Sequence, residues 1–147
     1  MRMNLESLYQ DLILDHYKNP LNKKLAENPG ISVHHVNPSC GDEVTLHLTG
    51  DRSELKSVTW DGVGCSISQA STSVMSDLVQ GKSPAQAESI LNCFMEMMQS
   101  KGGSQGDLEL LGDGVAFSGV SKFPARIKCA LLGWMALKDA MVQLDLI

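Results

Sequence analysis

The fold is decided by Glu43-Val44-Thr45-Leu46-His47-Leu48-Thr49, the break Gly50-Asp51-Arg52-Ser53, and the run Leu55-Lys56-Ser57-Val58-Thr59-Trp60. Glu43–Thr49 alternates, with Val44, Leu46 and Leu48 on one face, the period-2 signature of a half-buried strand. Leu55–Trp60 continues the pattern, with Val58 and Trp60 on one face. Gly50 to Ser53 supplies the turn between the two strands. Upstream, Ile31–Asn37 is rich in β-branched residues and gives a third strand. The three form an antiparallel meander. Thr45, His47, Ser57 and Thr59 mark its other face as the more polar one.

Around this sheet the chain reads helical. Leu5, Leu8, Leu12 and His16 or Tyr17 recur at helical spacing, and that helix ends near Asn19-Pro20, because the residue before proline resists helix. Leu21 to Gly30 is a polar connection. Ile67–Gln80 is a helix of small residues that stops at Gly81. Ser83-Pro84-Ala85-Gln86 carries a capping box, with Ser as N-cap, Pro at N1 and Gln at N3. Behind it Ile90, Leu91, Phe94, Met95 and Met98 share a face, up to Lys101-Gly102-Gly103. Residues 102–119, with six glycines, read as irregular loop or short weak strands. Pro124 opens a last helix with Ile127, Leu131, Trp134, Leu137 and Met141 on one face. Strands first and helices after predict an α+β fold, a small three-stranded antiparallel sheet with helices on one face.

The chain of 147 residues fits a single domain, 1–147, that can bury a core without cross-links. Apolar residues make up 43% and charged residues 20%, a globular balance. No apolar run approaches the roughly 20 residues of a membrane span. Met1 to Glu6 shows no apolar signal core, so the expectation is a cytoplasmic protein. Net charge is −5, with no dense Lys/Arg patch, which speaks against nucleic acid as partner.

Four cysteines are too few and too scattered for a secreted disulfide scaffold, so thiols are expected. Three fall at element junctions: Cys40 in Asn37-Pro38-Ser39-Cys40-Gly41-Asp42, Cys65 after Gly62-Val63-Gly64, and Cys129 early in the last helix. Helix N-terminal turns favour anions, so a thiolate there should have a lowered pKa. Asp42 adds a carboxylate beside Cys40, and three thiolates with a carboxylate suit zinc. The spacing lacks the CxxC pairs that alone would argue zinc. Small turn residues and core filler remain the other reading. Cys93, among Phe94, Met95, Met97 and Met98, reads as a structural residue. His34 and His35 face opposite sides of a strand, and His16 and His47 read as helix-end and strand-surface residues.

Three segments in order, Pro38-Ser39-Cys40-Gly41-Asp42, Gly62-Val63-Gly64-Cys65-Ser66-Ile67-Ser68-Gln69-Ala70-Ser71 and Pro124-Ala125-Arg126-Ile127-Lys128-Cys129-Ala130-Leu131-Leu132, resemble the IscU/NifU N-terminal family of iron–sulfur cluster scaffold and sulfur-transfer proteins. Within it the chain is most similar to the SufU branch. Scaffold-type members carry His immediately before the third cysteine, where this chain has Lys128. SufU-type members have a longer stretch before the third cysteine and an Arg at the position of Arg126. The resemblance implies zinc held by Cys40, Asp42, Cys65 and Cys129. It implies a pyridoxal-phosphate-dependent cysteine desulfurase of SufS type as partner, and a downstream iron–sulfur assembly scaffold as recipient. Cys40 matches the position of the persulfide acceptor, which makes the protein a sulfurtransferase acting as co-substrate and activator. Arg126 either steadies the moving charge or is a solvated first-turn residue. The alternative implied is a scaffold holding a transient [2Fe–2S] cluster on the same ligands.

Overall fold

The computed structural model describes residues 5–147, so the reading of Met1 to Asn4 lies outside the described residues. The meander is present in the order β1 (Ile31–Asn37), β2 (Asp42–Gly50), β3 (Leu55–Val63). Register follows the alternation, with Val33 opposite Leu46, Leu46 opposite Trp60 and Leu48 opposite Val58. These side chains are buried, because a period-2 pattern leaves one arrangement that puts every apolar residue on the same face. β2 and β3 run further than the sequence suggests, and Asp42 opens β2 opposite Asn37. At the β2–β3 turn the Asp51 carboxylate accepts from the Ser53 hydroxyl and from the N–H groups of Ser53 and Glu54.

Helices α1 (Leu5–Lys18), α2 (Ser66–Val79), α3 (Pro84–Gln99), α4 (Leu108–Leu111) and α5 (Pro124–Gln143) complete the fold with a 3-10 helix over Gly112–Lys122. α5 packs on β1 and β2, and α2 packs on β3 and α5. The α+β reading with helices on one face is thus correct. On the polar face, segment 22–26 pairs with the outer edge of β3 through Lys23 and Trp60. It also meets the ring of His47, which hydrogen-bonds the backbone of Ala26. His47 is therefore half-buried rather than a free surface residue.

α2 has an unbroken buried run from Ser68 to Ser76. Its small residues let α5 come close, and a side chain at Gly133 would strike Thr72. The Ser71 hydroxyl donates to the Ala130 carbonyl at 2.6 Å and accepts the Trp134 indole N–H at 3.0 Å. The helix capped by Cys65 and the helix that carries Cys129 are thereby locked together. α3 begins with the expected capping box, Ser83 and Gln86 exchanging side-chain to backbone bonds. Phe94 of α3 stacks on Trp134, with centroids 4.4 Å apart, and meets Phe117 of the 3-10 helix edge-on.

Two expectations are corrected. Residues 102–119 contain no strand; 102–107 are irregular, as expected, but 108–119 form α4 and most of the 3-10 helix, which buries Val115, Phe117 and Val120. Glycine content suggested irregularity, but packing on α1, α3 and α5 shapes the segment. In α1 the inward side is Tyr9, Ile13 and His16, whereas Leu5 and Leu8 are exposed. His16 sets this rotation. Its Nδ1 lies 2.9 Å from the Ser73 hydroxyl and its Nε2 2.9 Å from the Asp113 carboxylate, which ties α1 to α2 and the 3-10 helix. A buried ring with both nitrogens partnered outweighs two leucines left largely exposed. No helix among the described residues is long and apolar enough to cross a membrane.

Candidate functional site

The junction cysteines meet at one end of the sheet. The β1–β2 connection, residues 38–41, is exposed throughout, and the Cys40 N–H donates to the Asn37 carbonyl at 3.2 Å. Gly41, at φ +68° with no neighbour near a would-be Cβ, turns the chain back into β2. Cys40 is exposed, Cys65 half-buried and Cys129 buried. Asp42, 1% exposed, lies under the loop. Its Oδ1 accepts the backbone N–H of Cys65 at 2.8 Å, and the Cys65 thiol points to its Oδ2 at 3.8 Å. Cys65 is the N-cap of α2, so the carboxylate faces the positive end of that helix. Gly64 makes this fit possible. It sits at φ +150°, and a side chain there would strike the Asp42 carboxylate.

From the α5 side, the Cys129 thiol lies 3.3 Å from the Cys40 sulfur. The side-chain amide of Asn37, 7% exposed, donates to the Cys129 sulfur at 3.8 Å. The ligand atoms of Cys40, Asp42 and Cys129 all lie within 4.8 Å of one another, a group that could hold a metal ion. Cys65 falls outside that mutual set and joins it through Asp42. Zinc–sulfur and zinc–oxygen bonds of about 2.3 and 2.0 Å in a tetrahedron give sulfur–sulfur edges of about 3.8 Å and sulfur–oxygen edges of about 3.5 Å. The observed sulfur–sulfur contact of 3.3 Å and sulfur–oxygen contact of 3.8 Å lie within about 0.5 Å of those edges, and the donor set is of the type zinc takes. The residues fit the ion.

One electrostatic expectation fails at Cys129. Instead of being lowered, its pKa is pushed well above the ordinary thiol value by burial first, then by the neighbouring Cys40 and Asp42. Cys129 sits well inside α5, at its sixth residue, rather than at the N-terminal N–H groups, so desolvation outweighs the dipole.

The remaining candidates have other partners. Arg126 is exposed, its guanidinium 5.7 Å from the centroid of the Phe123 ring. Cys93 is half-buried on α3 against the core. His35 pairs with Asp139 at 2.8 Å, while His34 lies beside Thr45 and Glu43, on opposite sides as expected. Asn37 was missed by the sequence reading. The available signal was a polar residue ending a β-branched strand three residues before Cys40.

Cys40, Asp42 and Cys129, with the Cys65 thiol against the same carboxylate, lie where a meander sheet meets α2 and α5 and define the class: an α+β domain with a thiol-rich group at its edge that could hold a metal ion. The chain belongs to the NifU-like N-terminal domain family, whose model matches residues 8–141. It is 45% identical over 140 residues to the zinc-dependent sulfurtransferase SufU of Bacillus subtilis, covering 95% of this chain and 93% of that protein. It is 38% identical over 138 residues to the iron–sulfur cluster assembly scaffold protein IscU of Streptococcus pyogenes, covering 93% and 84%. A crystal structure from Fervidobacterium islandicum, described as a candidate iron–sulfur cluster assembly scaffold of the SUF system, superposes with a TM-score of 0.81. That match has 34% identity and covers 92% of this chain and 98% of that one.

Proposed function

We propose that this protein is a zinc-dependent sulfur-transfer protein of iron–sulfur cluster biogenesis, accepting persulfide sulfur from a SufS-type cysteine desulfurase on Cys40 and passing it to a downstream assembly scaffold. The observation that carries the reading is the asymmetry of the thiol group. Cys40 is exposed on a loop, 3.3 Å from a buried Cys129. Cys40, Asp42, Cys65 and Cys129 are proposed to hold the ion; the sulfur of Cys65 touching the same carboxylate supports it as fourth member. Bound zinc would keep its cysteine ligands as thiolates at neutral pH.

The chain's own residues supply the rest. Cys65 caps α2 and Cys129 lies within α5, so moving either sulfur means moving a helix. Cys40 moves with its loop. The Cys40 thiolate attacks the outer sulfur of the desulfurase persulfide. A sulfur–sulfur bond forms on Cys40 as the old one breaks, and the desulfurase cysteine leaves as thiolate, with no net oxidation. Arg126 is proposed as an auxiliary cation near α5's first turn, supported by its exposure and by its place three residues before Cys129.

The core residues form one connected cluster drawn from the sheet and helices α2, α3 and α5, which supports 1–147 as one domain. Four free thiols suit a reducing compartment, which supports a cytoplasmic location. A cluster-holding scaffold is the second reading, favoured by the similarity to a scaffold IscU; Lys128 in place of His speaks for transfer.

The test is to mix the protein with a SufS-type desulfurase, pyridoxal phosphate and cysteine, trap thiols and map added sulfur by mass spectrometry. Sulfur should appear on Cys40, and Cys40→Ala should abolish stimulated alanine release while still binding the desulfurase. Sulfur on Cys93 or Cys129, or full stimulation by Cys40→Ala, would overturn transfer through Cys40. One zinc per chain after anaerobic purification is expected, and iron instead would favour the scaffold.

A further inference from the structure

We propose that Asn37 is a positioning residue of the thiol group, its side-chain amide donating to the Cys129 sulfur so that Cys129 stays fixed while Cys40 remains free to move. Two hydrogen bonds and one register pairing converge on this residue. Its carbonyl accepts the Cys40 N–H at 3.2 Å. It is paired across the sheet with Asp42. Its amide reaches the Cys129 sulfur at 3.8 Å. One strand-end residue thus holds the backbone of Cys40 through its carbonyl, faces Asp42 across the ladder and reaches the helix thiol through its side chain.

Burial gives the contact its purpose. Asn37 is 7% exposed and Cys129 3% exposed, so the amide donor gains little from solvent there. A buried donor is costly unless bonded, and here it bonds to sulfur. An N–H donated to a metal-bound thiolate withdraws electron density from that sulfur and fixes its direction. Cys40 receives no such side-chain donor from Asn37. The two thiols that lie 3.3 Å apart therefore differ in kind: Cys129 is held from behind by the Asn37 amide, whereas Asn37 holds Cys40 through its backbone N–H.

The inference rests on the proposed metal-holding reading, and the experiment separates the two. Uniformly 15N-labelled wild-type protein is loaded with 113Cd, and bound metal is counted per chain. A 1H–113Cd correlation should connect the metal to the Asn37 side-chain amide protons as well as to cysteine β protons. Asn37→Leu removes the donor at similar volume. Its zinc affinity, read against a chromophoric chelator, should fall by about 10–100-fold. With cobalt in place of zinc, its thiolate charge-transfer band should move to longer wavelength, a change that looser packing alone does not produce. Bound cadmium with no correlation to Asn37 would overturn the inference and leave the metal site standing, as would an unshifted cobalt band in a folded Asn37→Leu variant. Wild-type protein that takes up no metal would overturn both. The correlation is read on wild-type protein, so the test holds even if Asn37→Leu does not fold.

Discussion

Substituting Gly64 with alanine should damage the site and the fold together. Gly64 sits at φ +150°, and the added Cβ would strike the Asp42 carboxylate while coming within 3.0 Å of the Asp42 Cα. Backbone in a region that L residues rarely adopt costs about 1–3 kcal/mol. Displacing the carboxylate breaks its 2.8 Å bond from the Cys65 N–H, and hydrogen bonds to charged groups contribute about 1.5–3 kcal/mol. Together the loss is roughly 3–5 kcal/mol, a large share of the ~5–15 kcal/mol that holds a domain folded. Gly41→Ala is the control. Gly41 also has positive φ, at +68°, but open space around its Cβ, so only the left-handed backbone cost of about 1–2 kcal/mol applies. Urea unfolding of both variants in chelator, away from any metal contribution, gives the comparison, and zinc content is then read after reloading. Gly64→Ala should be the less stable by about 1–4 kcal/mol and bind zinc poorly, while Gly41→Ala keeps its zinc. If Gly64→Ala unfolds within about 1 kcal/mol of wild type and still binds one zinc, the packing of Asp42 against Gly64 has been misread.

Three further outcomes are expected. The Asp51 carboxyl, held down by Ser53 and Glu54 to about 2 from an ordinary 3.8, should titrate by carboxyl NMR near 2, and Ser53→Ala should return it toward 3.8. Because the folded value is the lower one, this group stabilises the fold above about pH 3.8 and loses that contribution as pH falls toward 2; a wild-type midpoint at 3.8 would refute it. Ser71→Ala leaves the buried Trp134 indole N–H and Ala130 carbonyl without their shared partner, and should cost about 1–3 kcal/mol in chemical unfolding; a neutral result would mean that the α2–α5 contact is held by packing alone. Free zinc at about 1,000 times its Kd should add roughly 4 kcal/mol, raising Tm by roughly 8–16 °C relative to chelated protein, and Cys129→Ser should abolish the rise.

The meander, its register and the start of α3 follow from local chemistry alone. Val44, Leu46 and Leu48 alternate with polar neighbours, Gly50 to Ser53 allows one reversal, and Ser83 with Gln86 caps a helix without help from elsewhere. Period-2 burial and capping boxes are properties of a few consecutive residues, so the sequence by itself determined them. It also marked Cys40, Cys65 and Cys129 as junction residues, through glycines and prolines that end elements. Tertiary structure alone decided which of these thiols meet and how. The 3.3 Å approach of Cys129 to Cys40 depends on α5 lying against β1 and β2, and on Ser71 binding α2 to α5. The direction of the Cys129 pKa shift depends on its burial deep in α5. The face of α1 turned inward was settled by Ser73 and Asp113 closing on His16, and the glycine-rich stretch became helical from residue 108 on because α1, α3 and α5 pack against it. Each of these outcomes is a contact between residues far apart in the chain, and no run of neighbouring residues carries its energy.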